Sequence, residues 1–253
     1  MTSIREVMER PIAHRGLHDS GNGIIENSPS AFKAAIEAGY AIECDLQLTA
    51  DEIPIVIHDG TLDRVTEQSG RVRDISAGQA TKIKLAGSKK PDRILSFADL
   101  LKLVDSRVAI AIELKPQVDG LNRKLAETAV EALKNYHGPI AFISFAPELL
   151  VHVKECGFKG PTGIIIERFV SEEAQDHLNW FQRFSMRHLL HYPRTRFDFV
   201  DCDQNALDMP AVRLFHALGF PLAAWTIRSQ EQADQALKHS DQYAFEGFIP
   251  ASD

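Results

Sequence analysis

Four short stretches of the chain place ionisable side chains at the ends of apolar runs, and their spacing decides what chemistry they can share. Glu43-Cys44-Asp45 lies within the apolar run 41–46. Side chains alternate along a strand, so Glu43 and Asp45 share one face while Cys44 points to the other. Two carboxylates on one face near a core repel unless a cation joins them, and oxygen ligands suit a hard ion such as Mg2+ or Ca2+. The plainer reading is a solvated strand end. Glu113 and Lys115 follow the run 108–112 and obey the same alternation. They add either a third acid and an ammonium facing an anion, or a private ion pair. The runs 11–13 and 54–57 end on His14-Arg15-Gly16 and His58-Asp59. One histidine in such a place is ordinarily structural. Two on separate segments offer an acid and a base, which phosphoryl transfer needs on opposite sides of the phosphorus. Gly16 suits a tight turn or a close backbone approach by a ligand. Trp225 reads equally as core aromatic or as a wall beside an apolar part of a ligand. His18, His137, His188 and His191 lack comparable company and read as structural or exposed.

Short apolar runs alternate with segments of helical period along the whole chain, the pattern of an α/β protein with parallel strands. Strands are expected at 11–15, 41–46, 108–115, 140–145, 162–166, 199–202, 222–227 and 245–249. Helices are expected at 28–38, 97–104, 121–135, 147–156, 172–187, 210–218 and 230–239. Ser28-Pro29 and Ser96 are start signals, and Gly39, Gly157 and Gly219 suit left-handed helix ends. Eight strands with intervening helices fit a (β/α)8 barrel, with reactive groups at the carboxyl ends of its strands. A doubly wound open sheet has the same local pattern. Residues 47–95 break the rhythm with a second short strand at 55–58 and the lysines 82, 84, 89 and 90. They read either as a solvated loop face or as a small insertion over the barrel mouth. The expectation is a single domain, 1–253, carrying a small insertion at about 47–95.

With 253 residues, 44% of them apolar, the chain can bury a core of globular size. A net charge of -7, from 28 basic and 35 acidic residues, argues against a protein whose main work is gripping nucleic acid. Cys44, Cys156 and Cys202 are too scattered for a disulfide framework or a zinc site and suggest free thiols in a reducing compartment. The amino terminus lacks a signal-like apolar segment, and no apolar run approaches the ~18 residues of a membrane span. A cytoplasmic protein without stable membrane anchoring is the expectation.

The ordered set His14-Arg15-Gly16, Glu26-Asn27-Ser28, Glu43-x-Asp45, His58-Asp59 with Leu62-x-Arg64, Glu113-Leu-Lys115 and Trp225-Thr226 resembles the glycerophosphodiester phosphodiesterase family. The resemblance runs from residue 11 to about 228 and is densest over 11–66. It implies a TIM barrel that hydrolyses a glycerophosphodiester to glycerol 3-phosphate and an alcohol with one divalent cation, Mg2+ or Ca2+, or else Mn2+. By matching positions, Glu43, Asp45 and Glu113 resemble the metal ligands, and His14 and His58 the general acid and base. Arg15, Asn27, Lys115 and Trp225 then fall on the substrate, with Glu26 and Asp59 in support. Ile25 and Ser28 depart from the family pattern at positions that carry no proposed reacting group, and Arg228 and the carboxyl-terminal stretch 247–253 depart from it in ways that bear on alcohol selectivity and the last loop. A related barrel acting on lysophospholipids or phosphoinositides is the near alternative. The absence of an obvious amphipathic interfacial helix favours a soluble diester. A catalytically silent phosphate-ester-binding barrel would be expected to have lost one of these groups. A glycosidase would leave both histidines and Lys115 without a role.

Overall fold

The computed structural model describes residues 2–117, 119–170 and 178–251. Its strands, in chain order, are β1 (Ile12–Ala13), β2 (Ala41–Leu48), β3 (Pro54–Val56), β4 (Leu95–Ser96), β5 (Ile110–Leu114), β6 (Ile140–Ser144), β7 (Thr162–Ile166), β8 (Phe199–Asp203), β9 (Leu222–Ile227) and β10 (Gln242–Phe245). β1, β2 and β5 through β10 pair in parallel, and β1 joins both β2 and β10, so these strands close into the expected eight-stranded barrel. Closure excludes the open doubly wound sheet. β3 and β4 extend β2 on its outer side as an antiparallel pair.

Strand alternation sorts the core into two layers. On β2, Ile42, Cys44, Leu46 and Leu48 face outward and pack with Phe32, Phe97, Leu100 and Leu125 of the surrounding helices. Ala41 faces the bore, together with Ala109, Ala111, Ala141, Ile143, Ile165 and Phe199. Small side chains leave room there for the Phe199 ring, which lies 2.3 Å from where a Cβ on Gly163 would stand. A short helix, Ile4–Val7, adds Val7 to this cluster just before β1 begins. The lower bore is therefore apolar and filled, which leaves its carboxyl-terminal mouth for polar chemistry.

Helices form where their signals stand: Ser28 caps Pro29–Ala38 through its hydroxyl, and Gly39 closes it at φ 75°. Ser96 caps Phe97–Val104 in the same way. Pro147–Glu155, Pro210–Ala217 and Gln230–Ala236 agree with the sequence to within a few residues, and Asn122–Ala132 is shorter than expected. Of the helix expected at 172–187, residues 172–177 lie outside the described part, and Trp180–Arg187 is helical. Three corrections to the strand limits bear on the site or the last loop. β1 stops at Ala13 because Arg15 and Gly16 take φ of 54° and 78°, turning the chain out of the sheet. The second short strand is Pro54–Val56, so His58 lies beyond its end. The last strand precedes its expected place: β10 ends at Phe245, Gly247 turns at φ 76°, and Ile249 is exposed. The 47–95 segment is an ordered layer with its own apolar cluster, including Ile55, Ile57, Leu62, Val65, Ile83 and Leu85. Its lysines are exposed, as the solvated-face reading expected.

Candidate active site

Register brings the acids together. Asp45 on β2 is the direct partner of Glu113 on β5, and Glu43 lies two residues earlier on the same face as Asp45. All three are buried, and each offers a carboxylate oxygen within 4.8 Å of the others. Lys115 Nζ lies 2.9 Å from Asp45 Oδ1 and 2.7 Å from Glu113 Oε1. These are ion pairs of hydrogen-bond length without hydrogen-bond angles, so both oxygens, like Glu43 Oε1, remain buried without an aligned donor. Burial first, then Asp45 and Glu113, push the Glu43 carboxyl well above its ordinary range. Burial also raises Glu113, to about 7, against the pull of Lys115. For Asp45 burial is outweighed by Lys115, His58 and Arg15, which hold its carboxyl well below the ordinary range. One ammonium thus serves Asp45 and Glu113, and the third acid, Glu43, takes the Arg15 backbone N–H. Three converging buried oxygens with negative charge to spare are a donor set for a hard dication, and they fit one.

The two histidines flank this cluster from different segments. His14 Nε2 is 4.0 Å from Glu43 Oε2, while His14 Nδ1 lies 2.7 Å from Glu246 Oε2. His58 Nδ1 lies 2.6 Å from Asp59 Oδ1. In each, a carboxylate on Nδ1 favours the tautomer that leaves Nε2 as the proton acceptor. Burial, partly offset by Glu246, holds His14 below its ordinary pKa, and burial does the same to His58.

A second tier locks these groups in place. Arg15 donates its backbone N–H to Glu43 Oε2 at 2.7 Å and its guanidinium to Glu26 at 3.0 Å. Arg64 bridges Glu26 and Asp59 through contacts of 2.6 to 3.1 Å, tying the 47–95 layer to the barrel. Asn27, expected on the substrate, donates its side-chain amide to Asp45 Oδ2 at 2.8 Å and is buried. Gly16 serves the turn and the close approach of a helix: a Cβ there would meet Ala31 at 2.9 Å. Trp225 packs edge-on against Phe145 at the upper bore and donates Nε1 to the Asp201 carbonyl at 3.1 Å.

Two groups, Glu246 and Asp201, escaped the sequence reading. Glu246 stands one residue past the true end of β10, and the misplaced last strand hid it. It also receives Arg228 at 2.7 Å and has His18 Nε2 at 3.6 Å, so His18 has company after all and Arg228, read as a family departure, has a partner. The His14 hydrogen bond and the neighbouring His18 ring hold Glu246 far below the ordinary carboxyl range. Asp201 faces the bore from β8, buried, with Oδ1 unpartnered; burial and then Glu113 raise its carboxyl to about 8. Only its odd position beside Asp203 in an otherwise apolar strand could have signalled it.

A sequence profile for the glycerophosphoryl diester phosphodiesterase family matches residues 14–242. Glycerophosphodiester phosphodiesterase 1 of Bos taurus is 25% identical over 252 residues, covering 90% of this chain and 74% of that protein. A glycerophosphodiester phosphodiesterase of Caldanaerobacter subterraneus is 37% identical over 135 residues, 50% of this chain and 53% of its own. Among solved structures, a phosphodiesterase of Oleispira antarctica in complex with the product sn-glycerol-3-phosphate superposes with TM-score 0.79 at 22% identity, covering 96% of this chain and 95% of that one. The glycerophosphodiester phosphodiesterase of Thermotoga maritima gives 0.69 at 22% identity, with 92% of each chain covered. At these identities the superpositions establish a common barrel fold, and the profile match over nearly the whole chain establishes kinship: the chain belongs to the glycerophosphoryl diester phosphodiesterase family.

Proposed function

We propose that this enzyme hydrolyses glycerophosphodiesters to glycerol 3-phosphate and an alcohol, using one divalent cation, Mg2+ or Ca2+, and the two histidines His14 and His58. The observation that carries the reading is the trio Glu43, Asp45 and Glu113, converging within 4.8 Å with one buried oxygen each lacking an aligned donor. These residues would hold the cation, which supplies positive charge to the phosphate as extra negative charge develops on its oxygens. Lys115 and Arg15, already at the cluster, add fixed charge toward the same oxygens. One histidine takes the proton of the attacking glycerol hydroxyl, and the P–O bond to the alcohol breaks as the other protonates the leaving oxygen. Water then opens the resulting cyclic phosphate with the roles reversed. Glu246 and Asp59 hold the two imidazoles in register, Asn27 and Glu26 steady Asp45 and Arg15, and Trp225 walls the glycerol side. The site draws on residues from His14 to Glu246, so we take 1–253 as one domain in which 47–95 belongs to the active site.

The test is a substrate panel assayed for glycerol 3-phosphate with Mg2+, Ca2+ and Mn2+ in turn, then with chelator, for the native enzyme and Glu113→Gln. Release from glycerophosphocholine that chelator abolishes and the variant lacks is the expected result. Full turnover in chelator would overturn the metal assignment, and turnover of lysophosphatidylcholine alone would overturn the substrate assignment.

A further inference from the structure

Helix Trp180–Arg187 presents its apolar side outward. Trp180, Phe181 and Phe184 are 72, 60 and 46% exposed, and no residue of the helix is fully buried. Spacing of one, three and four residues puts all three rings on one face. Met186, on another face, is the helical side chain that packs against the apolar cluster below. Trp180 and Phe181 rings stand edge to face 5.8 Å apart, and Phe184 lies over His188. Exposed aromatics gathered in this way are costly in water and mark a surface that another phase or molecule covers.

Charge identifies the cover. The protein as a whole carries -7, yet residues 178–196 contain Arg183, Arg187, Arg194 and Arg196 and no acid. The acids Glu172, Glu173 and Asp176 of the preceding stretch lie outside the described residues. A helix with Trp and Phe on one face and arginines beside them is built to lie in the plane of a lipid–water interface, rings at the acyl boundary and guanidinium groups among anionic head groups. A second copy of the chain fits poorly, since a two-fold contact would set these arginines against themselves. The helix follows the segment that leaves the carboxyl end of β7, the end of the barrel that carries the acids and histidines.

We infer that the Trp180–Arg187 helix docks the enzyme reversibly on an anionic phospholipid surface. It does not depend on the proposed reaction, because binding and turnover are read separately. Such docking would run against the expectation, drawn from the sequence, of no obvious amphipathic interfacial helix.

Cosedimentation with vesicles of equimolar phosphatidylcholine and phosphatidylglycerol, against vesicles of phosphatidylcholine alone, tests it with the full-length enzyme. Binding to the anionic vesicles that weakens with salt is expected, each arginine replaced by glutamine lowering the partition coefficient about fivefold. The double variant Trp180→Ser, Phe181→Ser should lose binding while keeping its melting temperature and its release of glycerol 3-phosphate from a soluble diester. With tryptophan only at 180 and 225, the emission difference between native enzyme and Trp180→Phe isolates the surface ring, which should shift to the blue on anionic vesicles. Absence of binding, equal binding to neutral vesicles, unchanged binding by the double variant, or a dimer that the double variant dissociates would each overturn the inference.

Discussion

Replacing Glu246 by Gln keeps the shape of the side chain but removes the charge that faces His14 Nδ1 at 2.7 Å. A hydrogen bond to a charged group in a partly buried site contributes about 1.5 to 3 kcal/mol. At 1.36 kcal/mol per pKa unit, its loss lowers the His14 pKa by about 1 to 2 units. The direction follows from the environment: burial already depresses His14, and Glu246 is the first group opposing it. If His14 acts as base, the acid limb of the kcat/KM profile moves to lower pH. If it acts as acid, the alkaline limb does. In either case one limb moves down by that amount, and the amide, free to present its oxygen or its NH2, no longer enforces one tautomer, so kcat falls by about a hundredfold. The assay is release of glycerol 3-phosphate from glycerophosphocholine across pH at saturating cation, with Glu246→Asp as the charge-preserving control. A rate loss with both limbs unmoved, or an aspartate variant as impaired as the glutamine one, would refute the argument that Glu246 acts through the imidazole.

Other outcomes follow from the same packing. Lys115→Met leaves Asp45 and Glu113 without their shared ammonium and should cost about 3 to 5 kcal/mol in chemical denaturation without added cation, a deficit that Mg2+ partly restores. Asp201 titrates near 8 when folded and near 3.8 when unfolded, so the folded state binds the extra proton between those values and loses stability as pH rises from about 4 to 8. Asp201→Asn removes that dependence, and its denaturation midpoint should gain on the native enzyme steadily over this range; a constant difference would contradict the raised value. Gly163→Ala forces a methyl into the Phe199 ring and should lower stability by about 1 to 3 kcal/mol, read as a fall in melting temperature, with Phe199→Leu in the same chain recovering part of it.

Much of the site is local and therefore readable along the chain. The i, i+2 alternation puts Glu43 with Asp45 and Glu113 beside Lys115, and apolar runs ending on His14 and His58 mark strand and loop ends, because pleat and polarity act over a few residues. Helix limits at Ser28, Gly39 and Ser96 are legible for the same reason: a cap is a bond between near neighbours. What the chain order could not decide is which ends meet. Closure of β1 onto β10 sets Glu246 against His14 across 232 positions, and the same closure gives Arg228 and His18 their common partner. The 47–95 segment likewise reads either as a solvated loop face or as a small insertion until Arg64 is seen fastening it to Glu26. Nor can hydrophobicity alone say which side of the 180–187 helix faces water, since that depends on whether its neighbours leave room to bury three rings. Residue types and short spacings determine the available chemistry; the barrel's register, a long-range hydrogen-bonding and packing property, decides which of those groups share a charge, a proton or an ion.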